Sequence, residues 1–173
     1  MTNNRKTGKG REENTAQKIT TFLTFNDQAE EAVKRYVSIF KNSRILGLVR
    51  GEEGGPIAKG QVLNATFELD GARFMAMDGG PYFTFAQGTS LFVSCETQEE
   101  IDRLWEQLSE GGEQQPCGWL KDKFGVSWQI VPSVLGEMMG DSKSGNSAKV
   151  MEALLKMSKI DIKTLRRAYA QRK

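Results

Sequence analysis

Apolar and polar residues alternate cleanly over Lys18–Asn26, with Thr21, Leu23 and Phe25 on one face and Thr20, Phe22 and Thr24 on the other. That period of two predicts a half-buried strand. Asp27 and Glu30 then stand at capping-box spacing, and Ala29, Val33, Tyr36, Val37 and Phe40 form an apolar stripe, so a helix follows. Arg44–Arg50 and Gln61–Leu69 read as two further strands, separated by the loop Glu52-Glu53-Gly54-Gly55-Pro56. Asp70-Gly71 is a hairpin-turn dipeptide leading into a fourth strand, Ala72–Met77. The first half therefore reads β-α-β-β-β.

The pattern then restarts. After the Gly/Pro-punctuated segment Asp78–Gly88, Ser90–Ser94 alternates again, with Leu91, Val93 and Cys95 opposite Ser90, Phe92 and Ser94. Thr97 and Glu100 repeat the capping-box spacing, and Ile101, Leu104, Trp105 and Leu108 repeat the helix stripe. Gly111–Leu120 supplies one or two strands. Val126–Val131, stopped by Pro132, supplies the last, with Gln129 pointing away from Trp128 and Ile130. Superposing Gly71 on Gly125 sets Phe74 on Trp128 and Met75 on Gln129. One supersecondary unit is thus repeated.

The fold class expected is α+β: two βαβββ modules at 18–80 and 81–135, with a C-terminal helical extension at 136–173, together one structural domain. In that extension Val150, Met151, Leu154, Leu155 and Met157 make one amphipathic helix, and Ile160, Ile162, Leu165 and Tyr169 mark a second. Residues 1–17, polar and without periodicity, read as a disordered leader. Arg5, Lys6, Lys9 and Arg11 give it a weakly basic character.

Composition narrows the chemistry. The net charge of +2 provides no global field toward nucleic acid or acidic lipid, and no apolar run reaches membrane-spanning length. With no signal-like apolar stretch at the N-terminus, Cys95 and Cys117 are read as free thiols of a cytoplasmic protein. The chain has no histidine, so the commonest general base and metal ligand is absent. Cys117, beside Pro116 and Gly118 and near Lys121 and Lys123, therefore has no imidazole to activate it and reads as structural. Cys95 falls on the helix-facing side of its strand and reads as core. Asp122 reads as a turn former, and Asp78 and Tyr82 as weak site candidates. Met138, Met139, Met151 and Met157 read as packing.

Two βαβββ units resemble the vicinal oxygen chelate superfamily of glyoxalases, bleomycin-resistance proteins and dioxygenases. The stretches SLFVSCETQEEIDRLWEQLSEGGE and CGWLKDKFGVSWQIVP, with the tail KVMEALLKMSKIDIKTLRRAYA, are similar to its PhnB-like family, which often carries the label 3-demethylubiquinone-9 3-methyltransferase. The resemblance implies two curved sheets forming a glyoxalase-like cup, a divalent metal on four strand positions, and a homodimer. Carried onto this chain, those positions are Thr20, Met75, Ser90 and Gln129. Thr, Met, Ser and Gln supply no charged or imidazole ligand to replace the water of a hard cation, so no metal or other cofactor is expected. Tyr82 and Ala86 in GPYFTFAQG stand where relatives often show His and Asn. Methyl transfer is not expected either. The first strand ends in Phe25-Asn26-Asp27-Gln28 without a glycine, and Gly51–Gly55 lies between strands rather than before a helix.

The site expected is a ligand pocket formed by Thr20, Phe22, Thr24, Met75, Ser90, Phe92, Trp119 and Gln129, polar groups on an apolar ground. Three functions follow from these readings. The first is a metal-free dimer binding an unidentified small molecule, with neither nucleic acid nor membrane as partner. The second is a metal-assisted isomerase, lyase or dioxygenase. The third is an interaction module using the basic leader and the C-terminal helices. Ligand-specific binding without turnover, metal that survives chelation, and salt-sensitive nucleic-acid binding or a copurifying protein, respectively, distinguish them.

Overall fold

The repeat seen in the sequence closes as two sheets of identical strand order. A computed structural model describes residues 18–55, 57–86, 88–141 and 145–170, so the leader lies outside the described residues. In the first module, strands β1 (Thr21–Phe25), β2 (Arg44–Arg50), β3 (Val62–Leu69) and β4 (Ala72–Asp78) surround helix α1 (Ala29–Ile39) and pair in the order β1-β4-β3-β2. In the second, β5 (Leu91–Cys95), β6 (Glu113–Gln114), β7 (Trp119–Lys121) and β8 (Ser127–Pro132), with helix α2 (Gln98–Ser109), pair as β5-β8-β7-β6. Each first strand runs parallel to the last strand of its module, and the other pairings are antiparallel. Thr21 stands opposite Phe74 and Leu91 opposite Trp128, so Phe74 and Trp128 correspond, as the glycine superposition requires.

Period-two burial holds in both first strands. Leu23 and Phe25 are buried while Phe22 is exposed; Cys95 is buried while Phe92 is exposed. The helices cover the buried faces. Ala29, Ala32, Val33, Tyr36 and Ile39 of α1, and Ile101, Leu104, Trp105 and Leu108 of α2, join residues of both sheets in one core. The helices also touch each other: Arg35 donates to Gln107 O and Glu110 Oε2, and Arg103 donates to Ile39 O. A helix layer thus lies between the two sheets, and the opposite face of each sheet is turned away from it.

The two helix N-termini are capped differently. The N-cap of α1 is Gln28, with no side-chain cap bond, rather than Asp27. Asp27 has φ 58° and accepts from Gln61 Nε2 instead. The first N–H of α1 is satisfied from another strand, because Ala29 N donates to Asp78 Oδ1 at 2.9 Å. At α2 the expected cap forms: Glu100 N donates to Thr97 Oγ1, and Glu100 Oε2 accepts from Glu96 N.

Helices α3 (Val134–Gly140), α4 (Ser147–Leu154) and α5 (Ile162–Ala170) build a second core from Val131, Met138, Val150, Leu154, Ile160 and Leu165. Met139 and Met157 pack against it. Leu155, expected on the apolar stripe of α4, is exposed because α4 ends at Leu154; Met151, one residue past Val150, is turned off the Val150–Leu154 edge that packs, and beyond the helix the chain turns toward β7. There Cys117 N and Gly118 N donate to Met157 O and Ser158 O, tying the extension to the second module. Gly118, with φ +83°, is needed at this contact: a Cβ would lie 2.7 Å from Ile130 O.

Candidate functional site

Residues directly opposite on a ladder share a face, so the registers identify what each outer face carries. On the second sheet Phe92, Gln129 and Trp119 form one row. Gln129 Nε2 donates to Ser90 Oγ at 2.9 Å, a neutral amide-hydroxyl pair, with Phe92 61% exposed beside it. On the first sheet the matching row is Phe22, Met75, Thr66 and Gly47. Thr24 stands opposite Met77 one row on. Gly79 follows β4 here, where any Cβ would run into Thr24 Cγ2 and the ring of Phe83.

The structure brings Ser90, Phe92, Trp119 and Gln129 together, and separately Phe22, Thr24 and Met75, with Thr20 just before β1. The two groups lie on different sheets with the helix layer between them, so one chain does not unite the expected pocket.

The four positions at which the superfamily holds a divalent metal do not fit one here. Two hydroxyls, a thioether and an amide bring no charge to offset the ion's lost hydration, and the amide nitrogen already donates to the serine. Among the described residues no group of three or more His, Cys, Asp or Glu could hold a metal ion.

The other candidates fall outside these faces. Asp78, taken as a weak site candidate, is buried and structural, accepting from Ala29 N and Val62 N. Tyr82 is exposed in the inter-module segment, away from Asp78's bonds. Burial pushes the Cys95 thiol up to about 12. Cys117 adopts φ 62° with Sγ 3.6 Å from Leu154 O, against the C-terminal core.

Asp122 does more than form its turn. Oδ1 accepts from Phe124 N and Val126 N, and Oδ2 from Tyr36 Oη and Trp128 Nε1, at 2.7–3.0 Å. This buried carboxylate joins α1 of one module to β8 of the other. Burial, then the charge of Asp122, raises the Tyr36 phenol well above its ordinary value. No local pattern announces such a bond between residues 86 positions apart.

Two βαβββ modules with matched strand order define a vicinal oxygen chelate fold, the architecture of the glyoxalase and bleomycin-resistance proteins. Residues 17–131 match the family model described as 3-demethylubiquinone-9 3-methyltransferase, and the chain belongs to this PhnB-like family. It is similar to the putative 3-demethylubiquinone-9 3-methyltransferase, PhnB protein, of Bacillus cereus, with 43% identity over 68% of this chain and 100% of that one, at a TM-score of 0.65. Protein PA1353 of Pseudomonas aeruginosa, at 24% identity, covers 68% of this chain and 98% of its own, with a TM-score of 0.60. The fosfomycin resistance protein FosX of Listeria monocytogenes, at 14% identity, covers 71% and 96%, with a TM-score of 0.52; the last two show shared fold. No curated protein matches the chain.

Proposed function

We propose that this protein is a dimeric, metal-independent small-molecule-binding protein whose pocket is completed by a second copy. The observation that carries the reading is the exposure of both outer sheet faces, with Phe22 47% and Phe92 61% exposed around neutral hydrogen-bonding groups. Solvent-exposed aromatic residues on a sheet face bounded by free edge strands call for a cover. β1 and β5 are such edges, and the two sheets share one topology. A twofold axis can therefore set the first sheet of one chain beside the second sheet of its partner, forming two equal sites. Each site then holds Phe22, Thr24 and Met75 from one chain and Ser90, Phe92, Trp119 and Gln129 from the other.

The donor set suits an uncharged or weakly polar organic ligand, oriented by the Gln129 amide and the Ser90 hydroxyl against aromatic walls. Methyl transfer, which the family's description states, finds no support in the fold. Gly51–Gly55 joins the antiparallel strands β2 and β3, so it cannot cradle a cofactor at a helix N-terminus.

Sedimentation velocity with Phe92→Lys and Gln129→Leu variants tests the reading. Wild type sediments as a dimer, Phe92→Lys shifts it toward monomer, and Gln129→Leu stays dimeric but loses thermal-shift responses to neutral organic compounds. A wild-type monomer would overturn it.

A further inference from the structure

A cavity lies between the two modules along the free edge of β5, adjoining the outer face at Ser90 and Phe92. It encloses about 440 Å³, the size of a small-ligand pocket. Phe40, Leu69 and Phe74 wall it from the first module, and Leu91, Leu104 and Trp128 from the second. Phe40 stacks on Trp128 with centroids 5.4 Å apart and planes at 23°, giving the cleft a flat aromatic lining. Ser90 and Phe92 reach its rim, but Gln129, Trp119, Met75 and Phe22 do not line it.

Two cations and two acids also line the cleft: Lys41, Arg103, Asp70 and Glu100. Among the described residues no ion pair joins them. Glu100 is committed to the α2 cap through Glu96 N, and Asp70 stands at the exposed tip of the β3–β4 turn. Arg103 is half-buried and uses only Nη1, which donates to Ile39 O at 2.7 Å and to Gln107 Oε1 at 3.1 Å. Its Nη2 and Nε, and the Lys41 ammonium, make no bond among the described residues. A guanidinium with spare donors beside aromatic rings is the arrangement that recognises a planar carboxylate.

We propose that this inter-module cleft is a second ligand site, selective for flat aromatic carboxylates, with the ring in the apolar cleft and the carboxylate at Arg103 and Lys41. This goes beyond the sheet-face reading and is separable from it by residue.

Calorimetry of the full chain with 2-naphthoate and its uncharged counterpart 2-naphthamide tests the assignment. The carboxylate binds once per chain and about tenfold tighter than the amide, as charge-assisted hydrogen bonds require. Lys41→Glu, at an exposed position, weakens the carboxylate several-fold without changing the amide. Ala72→Trp, which fills the cleft mouth, abolishes both. Gln129→Leu changes neither, so failure of the sheet-face site leaves this result standing. Equal affinity for the two compounds, absence of binding, or sensitivity to Gln129→Leu but not to Ala72→Trp would each overturn the proposal.

Discussion

Asp122 ties the two modules at one buried carboxylate, through its bond from Tyr36. Its carboxylate accepts four hydrogen bonds while buried, and Asn cannot replace it, because the amide nitrogen would face the Trp128 N–H. Asp122→Asn should cost about 1–3 kcal/mol, the cost of buried donors left unsatisfied, read as a lower denaturant midpoint. Tyr36→Phe, which removes one donor and strands none, should cost about 1 kcal/mol. Two buried acids also set an alkaline limit. Cys95 is raised from 9.0 to about 12 and Tyr36 is raised well above 10.0, so both ionise more readily in the unfolded chain. Their contributions are whole below those unfolded values and fall as pH rises through them, by about 1.4 kcal/mol per pH unit for each group. Unfolding free energy should decline from about pH 9 upward, and Cys95→Val should flatten the first part of that slope. An unchanged slope in the variant would contradict the burial of this thiol.

At the scale of elements, the sequence was readable wherever burial followed a period. Leu23 and Phe25 against Phe22, and the stripe Ile101-Leu104-Trp105-Leu108, are buried or exposed as their spacing predicts. The Thr97 cap formed because its partner lies three residues away; Thr97→Ala should cost about 1 kcal/mol by thermal denaturation. The Asp27 cap failed because a distant group, Asp78, reached Ala29 N first. Met151 and Leu155 lie off the buried edge for different reasons: Met151 is one position round the helix from Val150 and Leu154, and Leu155 lies past the helix end, which an apolar stripe does not mark. The same limit hid Lys41 and Arg103, whose shared cleft exists only once the modules pack. The C-terminal helices are held through Ile160, fully buried beside Gly118, with its carbonyl accepting from Gln98 Nε2. Ile160→Ala should cost about 2–5 kcal/mol, a cavity in the smaller core. A cost below 1 kcal/mol would mean that the extension is not tied to the body.

For the molecule as a whole, the repeat accounts for both the fold and its incompleteness. Each module buries one sheet face under its own helix, the helices meet, and each outer face, with its exposed Phe22 or Phe92, is left for another surface. The sequence placed all eight candidate residues on outer faces or just before them. It could not show that a helix layer lies between the two sheets that carry them, since that depends on how the modules pack. In the proposed dimer a second copy would unite them, and the four superfamily positions offer a divalent ion no charged or imidazole group.

Native mass spectrometry of protein purified with neither added metal nor chelator tests this directly. The expected mass is twice that of the 19.3 kDa chain, with no stoichiometric metal adduct and no change on adding a chelator. A monomer, or a dimer carrying one divalent ion per site that a chelator removes, would contradict it.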